Sequence, residues 1–500
     1  MDFFHYNDYL RGQPCKTLNF GTVKPLVKII LIILTIMSFI DLEGQEPANR
    51  IAGSWLGTLD AGGIQLRIIF NLSLNDDGQY KATMDSPDQG AAGIPLGEVK
   101  LYGDSLRIDA PSIYGYYLGK IMTPASIEGQ WSQAGRTFDL NLEKQDTAFV
   151  LNRPQEPQPP FPYQVEEVTF ENRVQHFSLA GTLTIPEGEG PFPAVVLVTG
   201  SGSQNRDEEI FGHKPFKLIA DRLTRAGIAV LRYDDRGFGS SGGSSIGATS
   251  QDFALDARSA VEFLFGQPEI DTLCVGIIGH SEGGMIAFML ASQYQDIAFI
   301  ITLAGPGIDG KDILLDQSEY INRLSGVDEA VREDNRIVMN RVYDLMIAND
   351  SYNRWVEETK EFIKEYYSGS PRATYSDMDL ETIRKNLLGS IPESVYPWMR
   401  YFVQWDPSGL FGKIKCPVLA LNGERDCQVL AEKNIQAIRE GLLAGGNTRS
   451  TTMIIPGLNH LFQHCKTGLP NEYSSIEETF DPATLDIISN WILKQYKQRD

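Results

Sequence analysis

At residues 152–162 the chain changes character. The run Asn152-Arg153-Pro154-Gln155-Glu156-Pro157-Gln158-Pro159-Pro160-Phe161-Pro162 places five prolines in nine residues. Proline has no N–H to donate to a ladder and holds the backbone extended, so this stretch reads as a semi-rigid spacer. Before it, apolar residues recur with period two; after it, continuous apolar runs alternate with helical patterns. A chain of 500 residues has room for two or three domains, and the spacer is the boundary between two of them.

On the N-terminal side, Ile64, Leu66, Ile68, Phe70, Leu72 and Leu74 alternate with Gln65, Arg67, Asn71 and Ser73. This is a strand with one buried face, and Asn75-Asp76-Asp77-Gly78 supplies hairpin chemistry before Tyr80, Ala82 and Met84. A second unit follows the same plan: Trp131, a turn over 133–136, then Phe138, Leu140 and Leu142. Gly53-Ser54-Trp55 and Gly129-Gln130-Trp131 echo one another. Residues 46–151 are therefore expected to form a small antiparallel barrel or sandwich, since closure removes exposed strand edges. Packing or docking is its simplest role; binding of a substrate chain is the other.

Upstream, Lys24 and Lys28 precede an apolar run ending at Ile40. The fifteen residues from Leu26 to Ile40 fit a signal-peptide core better than a spanning helix. Residues 1–45 are read as a signal peptide, or as an anchor if uncleaved, which places the protein in the periplasm or outside the cell. Membrane contact follows only in the uncleaved case. The net charge of −21 argues against nucleic acid and anionic surfaces as partners. Of the five cysteines, Cys15 lies in the leader and Cys274 in an apolar strand; no C-x-x-C and no clustered histidines point to a metal, so none is expected.

From residue 163 to 500 the alternation implies an α/β fold with a mostly parallel sheet. Ala194-Val195-Val196-Leu197-Val198 is an apolar strand of the kind buried on both faces, and Ile228 to Tyr233, Cys274 to Ile278, Phe299 to Leu303, Pro417 to Leu421 and Thr452 to Ile455 continue the series. Asp481 and Pro482 open the last helix as N-cap and first residue. At about 306–410 a charged, helical, aromatic-rich insertion interrupts the rhythm. Placed after a strand, it is expected to cap the site at that end of the sheet. Its Trp398 and Trp405 are candidates for lining a substrate pocket or for packing the cap itself.

Within this fold the chemistry centres on Gly279-His280-Ser281-Glu282-Gly283-Gly284, set between the apolar strand 274–278 and the apolar run Met285 to Leu290. A strand that turns abruptly into a helix at a serine flanked by glycines is a nucleophile elbow. A second match, Gly239-Ser240-Ser241-Gly242-Gly243, sits in a Gly/Ser-rich loop without a following helix and is set aside. A serine hydroxyl needs a base, itself oriented by a carboxylate. Taken in the order serine, acid, histidine, the base is His460, after the strand ending at Ile455, with His464 left as a surface or structural residue. The acid is Asp426 in the loop 422–426, with Glu424 as fallback. Two backbone N–H groups should form an oxyanion hole: that of Glu282 and that of Ser201, in the loop after Val198, with Gly202 as the alternative.

Thr199-Gly200-Ser201-Gly202 with Arg206-Asp207, Asp234-Asp235-Arg236-Gly237-Phe238-Gly239-Ser240, the elbow, Gly423-Glu424-Arg425-Asp426 and Asn459-His460 together resemble a bacterial α/β-hydrolase family. That family comprises EstD-type carboxylesterases and serine aminopeptidase-like hydrolases, and the N-terminal β domain resembles the lipocalin-like module of some members. The resemblance covers residue 163 to the C-terminus. It implies a cofactor-free serine hydrolase acting on small carboxylic esters. Asp234, Asp235 and Arg236 are read as structural, holding their loop by ion pairs. The carboxylate of Glu282 keeps an aminopeptidase or amidase in view, because it could bind a substrate amine; Gly202 is a further substrate contact. A non-catalytic binding protein on a hydrolase scaffold is the third reading. An oxidising compartment allows a Cys427–Cys465 bridge, since both loops converge on Ser281.

Overall fold

The computed structural model describes residues 50–497 apart from 61–64, 76, 134, 148–150, 369–384 and 386. The expected leader at 1–45, Cys15, Ile64, the turn residues Asp76 and Ala134, and part of the expected cap lie outside the described residues. Ten N-terminal strands form one sheet: β1 (Gly53–Asp60), β2 (Gln65–Leu74), β3 (Tyr80–Ser86), β4 (Ala91–Pro95), β5 (Val99–Tyr102), β6 (Ser105–Ala110), β7 (Gly115–Thr123), β8 (Ser126–Gln133), β9 (Arg136–Asp139) and β10 (Leu142–Gln145). Their order is β4-β3-β2-β1-β10-β8-β7-β6-β5, with β9 on β8. The alternating residues of β2 pair directly with the flanking strands, Trp55 opposite Phe70 and Phe70 opposite Met84. Inward-facing Trp55, Phe70, Tyr117 and Trp131 share one core, with Phe70 5.3 Å from the Tyr117 ring and 6.1 Å from that of Trp131. Both tryptophans of the echoed Gly-x-Trp pair thus serve the same interior.

The second sheet has eight strands: β11 (Tyr163–Asn172), β12 (Phe177–Pro186), β13 (Phe192–Val198), β14 (Ala229–Tyr233), β15 (Ile270–His280), β16 (Phe299–Leu303), β17 (Val418–Gly423) and β18 (Ser450–Ile455), in the order β11-β12-β14-β13-β15-β16-β17-β18. The β11–β12 and β12–β14 pairs are antiparallel; every later pair is parallel. Among the described residues the α-helices are α1 (Pro215–Arg225), α2 (Ser250–Phe265), α3 (Glu282–Gln293), α4 (Gly310–Leu324), α5 (Glu329–Ala348), α6 (Tyr352–Ser368), α7 (Tyr396–Val403), α8 (Ser408–Phe411), α9 (Ala431–Ala444) and α10 (Pro482–Lys497).

Strand alternation explains why both faces need helices. Ala194, Val196 and Val198 join Ile277, Ile300 and Val418 in one core under α2, α3 and α9. Val195 and Leu197 join Val230, Ile278, Ile301 and Leu419 in the other, under α1 and α10. Helix α10 starts as its sequence predicts: the Asp481 carboxylate accepts from the Thr484 N–H at 2.8 Å and the Ala483 N–H at 3.3 Å. Between β16 and β17, helices α4 to α8 divide their aromatics. Tyr343, Trp355, Tyr367 and Tyr396 build a separate core. Phe402 and Trp405 instead pack into the core beneath the sheet, with Trp398 and Tyr401 against it. The α7–α8 end is thus anchored on the sheet itself.

The loops leaving β13 and β14 are tied by buried polar contacts. Arg206 reaches Asp234 at 2.8 Å, and Arg232 pairs with Asp207. Arg236 binds the Asp256 carboxylate at 2.7 Å and the side chain of Gln175 at 2.7 Å, with only 4% of its surface exposed. Asp235 departs from the expected ion pairing. It has no cationic partner in this network and accepts instead from the Thr199 hydroxyl and the Gln204 N–H, each at 2.8 Å. Burial pushes its carboxyl up to about 8, because the two hydrogen bonds favouring the anion do not offset desolvation and Glu208 and Glu282 stand nearby.

Two predictions follow from these contacts. Replacing Arg236 by Ala strands the buried Asp256 and should cost about 3–5 kcal/mol in urea unfolding; a loss near zero would show the pair contributes nothing. Asn at 235 reproduces the protonated acid, donating to Thr199 and accepting from Gln204. A buried carboxyl that titrates near 8 when folded and at about 3.9 when unfolded holds its proton in the native state across that window, so stability falls as pH rises through it. The melting temperature of Asp235→Asn relative to the parent should therefore climb from pH 5 to pH 8; a constant difference would contradict the assignment.

Candidate active site

Ser281 caps β15 in a backbone conformation that non-glycine residues rarely adopt, φ 52° and ψ −117°. The neighbouring glycines make it feasible. A Cβ on Gly279 would lie 2.0 Å from the Gly283 carbonyl oxygen, and one on Gly283 2.1 Å from that of Val198, so the turn closes only with hydrogens at these positions. The Ser281 N–H donates to the Leu303 carbonyl at 2.8 Å, fixing the turn to the adjacent strand. The set-aside match behaves as a loop: Ser241 donates its hydroxyl to the Asp234 carbonyl at 2.6 Å.

Across the edge of the sheet, the loops after β17 and β18 bring Asp426 and His460 together. His460 Nδ1 lies 2.8 Å from Asp426 Oδ2, and both residues are buried. Asp426 Oδ1 accepts from the Gln428 and Val429 N–H groups at 2.8 and 2.9 Å, so the carboxylate is oriented before it meets the imidazole. With Nδ1 facing a carboxylate it carries the hydrogen, which leaves Nε2 as the basic nitrogen. The Asn459 side chain shapes the histidine loop by accepting from the Leu461 and Gln463 N–H groups, each at 3.0 Å. Glu424 is engaged elsewhere: it accepts from the Gly457 N–H at 2.8 Å and staples the two loops. His464 is exposed and pairs with Glu478 at 2.9 Å.

The loop after β13 approaches the elbow closely. A Cβ on Gly200 would stand 3.2 Å from the Ser281 Cβ, and Gly202 adopts φ 94°. The Gly200 N–H is already engaged by Glu208 Oε1 at 2.8 Å, so Ser201 carries the next amide along. A small cavity lined by Gly200, Gly202, Ser203, Asp235 and Glu282 runs beneath this loop. Of the two candidate tryptophans, Trp398 is drawn to the elbow: its indole N–H donates to Glu282 Oε1 at 2.9 Å. Trp405 is buried in the core beneath the sheet. The Ser250 hydroxyl also donates to Glu282 Oε1, at 2.5 Å. Oε2 has no hydrogen-bond partner among the described residues. Burial raises this carboxyl above the usual range, although both hydrogen bonds oppose the shift.

Two residues escaped the sequence reading. Glu208, buried and itself at φ 52°, accepts at Oε1 from His280 Nδ1 at 2.9 Å as well as from Gly200. His280 Nε2 in turn lies 3.0 Å from the His460 carbonyl oxygen. Burial alone would lower the His280 pKa; the Glu208 carboxylate and the contact with His460 outweigh it and raise it. Glu208 directly follows Arg206-Asp207, and His280 precedes the serine, so adjacency to motifs was the available signal. The Cys427–Cys465 bridge that the compartment would allow is not formed: both are free thiols. The Cys427 thiol donates to the Gly468 carbonyl at 3.1 Å, and burial pushes it up to about 12. Remote from Ser281 in the sequence, His464, Glu478 and Asp481 bring potential ligand atoms within 4.8 Å of one another, but both Asp481 oxygens already accept from the start of α10.

Comparison with known proteins adds an independent line. Residues 214–373 match a family model described as serine aminopeptidase, S33. The chain is 25% identical over 410 residues to esterase EstD of Thermotoga maritima, covering 81% of this chain and 82% of EstD. It is 29% identical over 173 residues to esterase FrsA of Klebsiella pneumoniae, covering 33% of this chain and 39% of FrsA. Among solved structures, Pyrococcus furiosus esterase Pf2001 aligns with 70% of this chain and 100% of its own, at 15% identity and a TM-score of 0.40. With this sheet order and strained serine turn, the matches to EstD and to the serine aminopeptidase model support a carboxylesterase-like hydrolase of the α/β type, similar to EstD.

Proposed function

We propose that the protein is an exported serine hydrolase that cleaves carboxylic esters through a Ser281–His460–Asp426 triad and an acyl-enzyme intermediate. The observation carrying this is the buried 2.8 Å contact between His460 and Asp426 on the loops beside a serine held at φ 52°. Ser281 Oγ attacks the acyl carbonyl as His460 Nε2 takes its proton, and the carbonyl oxygen becomes an oxyanion facing the N–H groups of Glu282 and Ser201. His460 returns the proton to the departing alcohol. Water, deprotonated by His460, then attacks the acyl-enzyme, and Ser281 is regenerated with release of the acid. Every step uses protein groups and water, so no cofactor is required.

In this reading α4 to α8 form a cap, Trp398 and Gly202 line the acyl side of the pocket, and residues 46–151 are a docking module. The segment 1–45 directs export. The Glu282 carboxyl is 2% exposed and tied to Ser250 and Trp398, which favours a positioning role over capture of a substrate amine and supports esters over aminoacyl substrates.

Ser281→Ala should abolish hydrolysis of p-nitrophenyl acyl esters and labelling by a fluorophosphonate. Asp426→Asn should lower kcat by about 10⁴, the size found for the acid of a serine triad, whereas Glu424→Gln should stay within a few fold of the parent. Near-full activity in Asp426→Asn would remove the acid assignment, and faster turnover of aminoacyl anilides than of esters would turn the reading to a peptidase.

A further inference from the structure

A second buried carboxylate–histidine pair lies behind the triad, and its contacts are unusually far-reaching. Through Oε1 alone, Glu208 holds the Gly200 N–H at the root of the expected oxyanion loop and His280 Nδ1 on the elbow. His280 Nε2 reaches the backbone oxygen of His460, and the two imidazole rings stand 4.8 Å apart. One carboxylate therefore touches, directly or through one ring, three loops that must keep register: the donor loop, the serine turn and the base loop.

One hydrogen in this relay is fixed by its acceptor. A carbonyl oxygen can only accept, so Nε2 must carry a hydrogen. Oε1 already accepts from Gly200, and with Glu208 ionised its second contact is satisfied when Nδ1 also donates, giving an imidazolium against a carboxylate. Without the Nδ1 hydrogen, a nitrogen lone pair would face a carboxylate oxygen in a site from which water is excluded, an arrangement that is strongly unfavourable. Glu208 is 4% and His280 7% exposed, and Glu208 keeps a left-handed backbone conformation that a residue with a side chain adopts only when its surroundings require it.

We infer that Glu208 and His280 are positioning residues: their buried ion pair sets the oxyanion loop and the His460 backbone relative to Ser281. This rests on the triad reading above. Both side chains are buried behind the loops they hold, so the pair acts on the geometry reached in the transition state and not on substrate affinity.

Glu208→Gln tests it. The amide keeps the shape but lacks the charge, so one oxygen can no longer hold both Gly200 and a cationic His280; the ring must give up either its hydrogen toward residue 208 or its contact with His460. The expected result, at an unchanged melting temperature, is a kcat lower by roughly 10²-fold, the scale of losing one oxyanion donor, with KM within about twofold. A folded Glu208→Gln enzyme with parental kcat, or with the loss confined to KM, overturns the inference. If the variant does not fold, the wild type supplies the answer: in ¹⁵N-histidine spectra at neutral pH, one buried ring should have both nitrogens protonated, its signal absent in His280→Gln. A wild-type spectrum with no such ring overturns the inference. Ser281→Ala separates the two levels, since full activity there would sink the triad itself, whereas an inactive Ser281→Ala beside a fully active Glu208→Gln would sink only the positioning pair.

Discussion

Backbone packing at one turn governs the arrangement of the catalytic end. With Gly283 against the Val198 carbonyl and Gly279 against the Gly283 carbonyl at distances no Cβ could survive, β13, β15 and the first turn of α3 are locked into direct main-chain contact. Everything else at the site is measured from that contact: the loop after β13 begins one residue beyond Val198, and the serine turn is bonded to the end of β16. Such a turn is costly in conformational terms. It persists because the strands feeding it are buried on both faces and cannot shift without opening two cores.

Around this fixed point, the carboxyl end of the sheet gathers an unusual density of buried ionisable groups, and each is compensated differently. Arg236 and Asp256 are paired charges, and the Asp426 carboxylate is held by the N–H of His460 Nδ1 and two backbone amides. Asp235 and Glu282 have no cation in contact, and burial holds both above the ordinary carboxylate range. In a low-dielectric setting these solutions are not interchangeable, since an ion pair fixes direction and a neutral acid can donate as well as accept. The pattern keeps negative charge low beneath the loop where an oxyanion is proposed to form.

Much of this was legible in the sequence, for reasons that differ from residue to residue. Ser281 was readable because glycines, an apolar strand and an apolar helix report a tight turn locally. Asp426 and His460 were readable because each falls in the loop immediately after an apolar strand, and strand order then limits the candidates. Glu208 and His280 were not: their contact joins positions 72 apart, and neither neighbourhood carries a periodicity or turn signal that requires it. Trp398 and Trp405 show the same limit. Both stand in an aromatic-rich stretch, yet only the way α7 and its C-terminal end lie on the sheet decides that one indole meets Glu282 and the other is buried in the core. The missing Cys427–Cys465 bridge is of this kind too, because converging loops do not ensure facing sulfurs.

The order of strands in the sheet has a consequence for the timing of synthesis. Ser281, the proposed nucleophile, follows β15 near the middle of the chain, whereas the proposed acid and base follow β17 and β18, and β18 is an edge strand that pairs, among the described residues, with β17 alone. A ribosome-bound chain can complete the serine turn while more than a hundred residues remain to be made. His460, the proposed base, is in place only once β18 has emerged and docked. On the proposed roles, an unfinished chain in the compartment of its synthesis carries a hydroxyl without the means to activate it, and hydrolytic competence arrives late, once β18 has docked.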